Sequence, residues 1–129
     1  MRYLLDTHTA FWFFEDNPRL SARVKTIITN DRNAHLFISM VSAWEIAIKR
    51  SLDREDTRLC SVEEFLDGVD TYGFELIGIS PDAVKRVESL PFHHRDPFDR
   101  LLIATAIADN MTFLSADENV RKYDVKWEW

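Results

Sequence analysis

The residues of this sequence best suited to chemistry are carboxylates placed at the ends of apolar elements. Asp96 and Asp99 stand three apart ahead of the run Leu101 to Ala108, and Asp6 closes the run Tyr3-Leu4-Leu5. Asp117 follows Thr112-Phe113-Leu114-Ser115, and Glu45 sits at helical spacing beside Val41 and Ile48. Acids gathered at one point repel each other unless they are protonated or hold cations, and low-dielectric walls sharpen the repulsion. An all-oxygen set selects a hard octahedral ion, Mg²⁺ or Mn²⁺, over zinc. The single Cys60 and the absence of His-x₃-His spacing offer no softer ligand set. Hard ions of this kind activate water and stabilise the leaving oxygen of an in-line phosphoryl displacement.

Each acid also has a structural reading. Asp6 suits the turn or cap that opens the following helix, and Asp117 suits the cap of a short turn over Glu118 to Tyr123. Asp96 reads as an N-cap with Pro97 as the first helical residue. For Glu45 there are two such accounts, a capping box with Ser42 and a surface pair with Lys49 four residues on. The alternative for Glu45 is an acid held among apolar neighbours.

The elements that must position these residues follow from periodicity. Tyr3 to Leu5, His35 to Ile38, Phe74 to Ile79, Thr112 to Ser115 and Val125 to Trp129 read as strands, the last an edge strand. Helices are expected over Thr9–Glu15, Ser21–Asn30, Met40–Leu52, Ser61 to about Gly73, and Ser80 to about Leu90. In the helix from Met40, the residues Val41, Trp44, Ala47 and Ile48 are expected to form the packed face, with Ile46 on a second apolar side. The helix after Asp96 is apolar around nearly its whole circumference and should be buried between layers. The charged segment Asp53 to Cys60 reads as a loop. This alternation of strands and helices is that of an α/β sandwich with a mainly parallel sheet. In such a sheet the acids fall along the edge formed by the strands' carboxyl ends, where open α/β folds place their crevice.

Composition bounds the rest. At 129 residues and 46% apolar content, with four Trp and nine Phe, the chain is expected to form a single domain over 1–129 with a real core. No apolar run approaches the length needed to cross a bilayer, and no signal peptide is read at the start, so a cytoplasmic protein is expected. The single Cys suits a reducing compartment. The net charge of −6 looks wrong for a nucleic-acid binder. Much of it disappears if four carboxylates are counted as metal-bound, and Arg outnumbers Lys by eleven to five. Charge therefore neither supports nor excludes a phosphodiester substrate.

Four segments, in order and spacing, resemble the PIN domain. They are Leu4-Leu5-Asp6-Thr7-His8, Ser39-x-x-Ser42-x-x-Glu45-Ile46, Asp96-Pro97-Phe98-Asp99-Arg100-Leu101-Leu102-Ile103-Ala104 and Leu114-Ser115-x-Asp117. Within that family the chain looks like the ribonuclease toxins of VapC-type toxin–antitoxin pairs. The resemblance implies a three-layer α/β/α sandwich with a mainly parallel sheet of four to five strands. It implies that Asp6, Glu45, Asp99 and Asp117 are catalytic and hold Mg²⁺ or Mn²⁺, with Ser115, Thr7 and Asp96 in support. Asp96 is open between a cap and a metal contact. Arg95 and Arg100 are expected to meet substrate phosphate, although Arg100 has pairing with Asp96 or a Glu as its alternative. His8, His93 and His94 are not required by the mechanism.

The implied reaction is hydrolysis of an RNA phosphodiester to 5′-phosphate and 3′-hydroxyl ends, with Glu45 or Asp117 helping to deprotonate water. The implied partners are RNA, a cognate antitoxin whose basic side chain competes for the carboxylates, and a second copy in a homodimer. Phe11 to Phe14 and the segment after Asp53 are candidate contact surfaces, with core packing the alternative for the aromatics. Two other functions fit the same residues: a non-catalytic acidic groove that binds a basic peptide, and a related metal-dependent DNA nuclease.

Overall fold

The computed structural model describes residues 1–52 and 60–129. The expectation for the charged loop therefore lies, except for Cys60, outside the described residues.

Five strands, β1 (Arg2–Leu5), β2 (His35–Ser39), β3 (Glu75–Ile77), β4 (Thr112–Leu114) and β5 (Trp127–Glu128), form one sheet in the order β3-β2-β1-β4-β5. Every pairing is parallel: Leu4 lies between Phe37 of β2 and Phe113 of β4. The helices are α1 (Thr7–Phe14), α2 (Ala22–Asn30), α3 (Met40–Ser51), α4 (Val62–Thr71), α5 (Pro81–Ser89) and α6 (Pro97–Ala108). A 3₁₀ turn, Glu118–Lys122, follows β4.

Strand pleat divides the interior in two. Tyr3, Leu5, Ile38 and Leu114 face one core with Ala10, Val24, Ile27, Phe65 and Val69 from α1, α2 and α4. Leu4, Phe37 and Phe113 face the other, against Leu102, Ile103 and Ala106 of α6. This is the expected three-layer sandwich, and α6 is buried over most of its length as its composition required. Side-chain oxygens cap the helices: Asp6, Ser21, Ser39, Ser61, Ser80 and Asp96 each accept from a first-turn N–H.

Two local expectations change. β3 is a short edge strand of three residues, because its side chains are mostly exposed and only β2 pairs with it. On α3 the buried residues are Val41, Ser42, Ala43, Glu45 and Ile46. Val41 and Ile46 are buried as expected, but Trp44 is 51% exposed and Ile48 38%, so the packed face expected from apolar spacing holds only in part. Polar side chains take inward positions on α3 because they find partners there, and Trp44 lies outside, edge-on to Phe98 at 5.0 Å.

The aromatics of α1 are half-buried core. Phe13 meets Tyr72 at 5.0 Å and Phe14 meets Phe65 at 5.5 Å, both edge-on. Gly68 of α4 allows this approach: a Cβ there would lie 3.0 Å from the Phe14 ring. Phe11, Phe14, Gly68 and Tyr72, with acidic Glu15, Glu64 and Asp67, line a groove of about 460 Å³.

Candidate active site

The strand order turns around β1, which has β2 on one side and β4 on the other. The acids after these three strands are Asp6, Glu45 and Asp117. Asp99 enters from the first turn of α6.

Asp6 ends β1 and caps α1, its Oδ1 accepting from the Thr9 amide at 2.7 Å. The capping and the site readings are thus one arrangement. Thr9 also donates its hydroxyl to the Leu114 carbonyl at 3.0 Å, which ties the start of α1 to β4. Burial raises the pKa of Asp6, opposed by hydrogen bonds from Ser115 and Thr9 and by the charge of His8. Ser115 is buried and also accepts from the Asp117 amide at 3.1 Å. One hydroxyl therefore touches the segments that carry two of the acids.

Glu45 is 2% exposed and both its oxygens are engaged. Thr7 donates to Oε1 at 2.7 Å and is hydrogen-bonded to Ser42 Oγ at 2.9 Å. Lys49 donates to Oε2 at 2.5 Å. The capping box with Ser42 is overturned: Ser39 caps α3, and Ser42 points inward to Thr7. The i,i+4 pair with Lys49 exists, but its carboxylate is buried rather than on the surface. Burial pulls the Lys49 pKa down, while the hydrogen bond and charge of Glu45, together with Asp96 and Asp99, pull harder, and the net shift is upward.

Asp99 is the acid with no hydrogen bond to its carboxylate among the described residues. Its pKa is pushed up to about 7, first by burial and then by the negative charges of Asp96, Glu45, Asp6 and Asp117. Each of the other acids thus acts on Asp99 through space. Asp96 caps α6, accepting from Phe98 N at 2.8 Å and Asp99 N at 3.3 Å.

Asp117 caps the 3₁₀ turn through Asn119 N at 2.9 Å, and its other oxygen meets His94 Nε2 at 2.5 Å. Residue spacing signals neither this His94 contact nor the inward aim of Lys49.

Arg95 is exposed and makes no ion pair among the described residues. Arg100 requires a correction. It is 5% exposed and its guanidinium donates to the carbonyls of Pro91 at 2.9 Å, Leu90 at 3.0 Å and Val87 at 3.2 Å, with Phe92 stacked 3.9 Å above. It closes the end of α5 and is not turned toward a substrate or toward Asp96, because the carbonyls there supply its acceptors.

Among the described residues no three Asp, Glu, His or Cys side chains form a ready-made cage for an ion. The donor chemistry nonetheless fits a hard dication. The set is all oxygen, and three of its acids are held by neutral or cationic partners that an ion can replace.

A family model described as PIN domain matches residues 3–126. A ribonuclease of Mycobacterium tuberculosis strain H37Rv, VapC22, is 27% identical over 124 residues, covering 93% of this chain and 90% of that one. Among solved structures, VapBC2 from Rickettsia felis bound to a DNA fragment from their promoter superposes with a TM-score of 0.71 at 17% identity, over 99% of this chain and 98% of that one. A toxin–antitoxin complex from Klebsiella pneumoniae gives 0.54 at 18% identity, over 89% and 86%. At such identities the two structures speak to the fold. No helix among the described residues is long and apolar enough to cross a membrane.

Proposed function

The chain belongs to the PIN domain family, and from that membership we propose that it is a metal-dependent endoribonuclease, the toxin of a toxin–antitoxin pair. The observation that carries this reading is Asp99, whose pKa is pushed up to about 7, first by burial and then by the negative charges of four neighbouring acids. A protein keeps such a costly arrangement at a site that needs it.

Asp6, Glu45, Asp99 and Asp117 are the residues that hold Mg²⁺ or Mn²⁺. When bound, the ion supplies acidified water and neutralises charge on the phosphate. The chain's own groups do the rest. Thr7 fixes one oxygen of Glu45, and Ser115 fixes Asp6 against the segment of Asp117. Lys49 offsets one negative charge where a phosphodiester, itself an anion, has to approach. Arg95, exposed beside the start of α6, is free to contact substrate phosphate.

The partner reading has two supports. One is the fold's likeness to a toxin–antitoxin complex. The other is the α1–α4 groove, apolar at its floor and acidic at Glu15, Glu64 and Asp67, which suits an apolar segment carrying basic side chains. A basic antitoxin side chain would compete for the same carboxylates as the metal. Homodimer formation is part of the same proposal.

The test is cleavage of total cellular RNA with Mg²⁺ or Mn²⁺, wild type beside Asp6→Asn and Asp99→Asn, with EDTA as control. Discrete fragments from wild type alone, lost with chelator, are expected. Full activity in either folded variant overturns the site assignment. An inert wild type that still binds metal moves the protein to the acidic binding module.

A further inference from the structure

His94 stands in the basic turn before α6 with its side chain only 9% exposed, and the reaction outlined above gives it no role. Its ring is nevertheless held from both ends. Nε2 meets Asp117 Oδ2 at 2.5 Å, and Nδ1 meets the Tyr123 hydroxyl at 3.1 Å. The two rings stack, with centroids 5.5 Å apart and planes at 25°. Tyr123 is itself buried at 6% exposure, in the core with Leu4, Phe113 and Val120. His93 closes the other side of Tyr123, its ring edge-on at 4.9 Å.

The hydrogen bonds fix a direction. Asp117 Oδ2 is a carboxylate oxygen and accepts, so a neutral His94 ring carries its proton on Nε2. The Tyr123 oxygen accepts from the His93 amide at 3.1 Å and turns its own proton to His94 Nδ1. Nδ1 then acts as acceptor, and the ring proton sits on Nε2, facing Asp117. Asp117 receives that proton on Oδ2 and the Asn119 amide on Oδ1, so both oxygens are oriented by groups that do not belong to the acid set. The Asp117 side chain is 40% accessible, and it stands at the start of a short 3₁₀ turn. Without a brace it has more freedom to leave the site than Asp6 or Glu45, which are set against the sheet.

We propose that His94, aligned by Tyr123, is a positioning residue that holds the Asp117 carboxylate toward the acid group. The proposal rests on Asp117 belonging to the metal-binding set. It turns the second histidine of His93-His94-Arg95-Asp96 from a loop residue into part of the site's frame, and it anchors Asp117 to the core through Tyr123. Partners of this kind fix the orientation of carboxylate and imidazole groups around ions, and their loss lowers metal affinity.

Two measurements test it on the full chain. The first is the ¹⁵N spectrum of the imidazoles in the metal-free protein, where His94 is expected in its Nε2–H tautomer, a preference lost in Tyr123→Phe. The second is direct titration with Mn²⁺. His94→Ala is expected to weaken binding about tenfold. His94→Gln, whose amide N–H reaches to a similar distance, is expected to recover most of that loss. Tyr123→Phe keeps the packing and should fall between. Wild-type Mn²⁺ affinity in folded His94→Ala, or an Nδ1–H tautomer in wild type, overturns the proposal. An RNA-inert wild type with His94-dependent Mn²⁺ binding would sustain it while overturning the nuclease reading. An active nuclease whose Mn²⁺ affinity ignores His94 would do the reverse.

Discussion

Lys49 Nζ lies 2.5 Å from Glu45 Oε2, one turn along α3, so an ammonium group stands within the acid cluster. Asp96 and Asp99 act on it as well. The pair differs from an ordinary surface ion pair because Glu45 is 2% exposed and cannot fall back on water. Lys49 is thus the protein's own counter-ion to a buried carboxylate.

Lys49→Met should therefore destabilise the metal-free protein by about 1–3 kcal/mol, the cost of leaving a buried acceptor short of a partner. Mn²⁺ should stabilise this variant more than wild type, since the ion meets one uncompensated charge more. Denaturant titrations with and without Mn²⁺ check both points. Equal Mn²⁺ stabilisation in the two proteins would mean that Lys49 lies outside the field of the metal.

Asp99 makes a prediction about pH. Its folded-state pKa, about 7, is above its ordinary value of 3.8, so the folded protein binds a proton that the unfolded chain has released between those values. Metal-free stability should fall as pH rises from about 4 to 7 and then level off. Asp99→Asn removes this contribution. Its gain should be absent near pH 4 and complete above pH 7, where the shift sets a ceiling of about 4 kcal/mol and partial exposure reduces the expected gain to roughly 1–2 kcal/mol. With saturating Mn²⁺ the order of stabilities should reverse. Thermal melts at the two pH values, with and without Mn²⁺, provide the readout.

Removing Arg100 should damage the fold and spare the chemistry. Arg100→Met removes the side-chain donor from the carbonyls of Leu90 and Pro91 and one of two donors from that of Val87, and a loss of about 2–4 kcal/mol is expected. Mn²⁺ affinity of the folded fraction should match wild type. A selective loss of metal or RNA binding in a stable variant would return Arg100 to the site.

Thr7→Val tests the other oxygen of Glu45. The substitution preserves shape but removes the donor to Oε1 at 2.7 Å, and it deprives Ser42 of its partner. Stability should drop by about 1–2 kcal/mol. Thr7→Ser, which keeps the hydroxyl, should lie close to wild type in denaturant titration.

The order of elements, the parallel sandwich and the acids at its edge are legible in the amino-acid sequence. Strand runs such as Tyr3-Leu4-Leu5 and the apolar circumference of α6 are local patterns, and local patterns survive whatever the rest of the chain does. Asp6, Asp96 and Asp117 were legible as caps for the same reason, since a cap is a contact over two or three residues. What only the tertiary structure decided is which way side chains face and whom they meet. Apolar spacing on α3 pointed Trp44 and Ile48 inward, yet that side of the helix is outside, because Thr7 from another element satisfies Ser42 and Glu45 within. The spacing of Glu45 and Lys49 is the same on a solvated face and a buried one. Arg100 reads from sequence as a contact for phosphate or a partner of Asp96 or a Glu, until the end of α5 brings its carbonyls alongside. His94, Tyr123 and Asp117 are joined across 23 and 29 positions of chain, and only the packing of the turn before α6 against the end of β4 brings them within hydrogen-bonding distance.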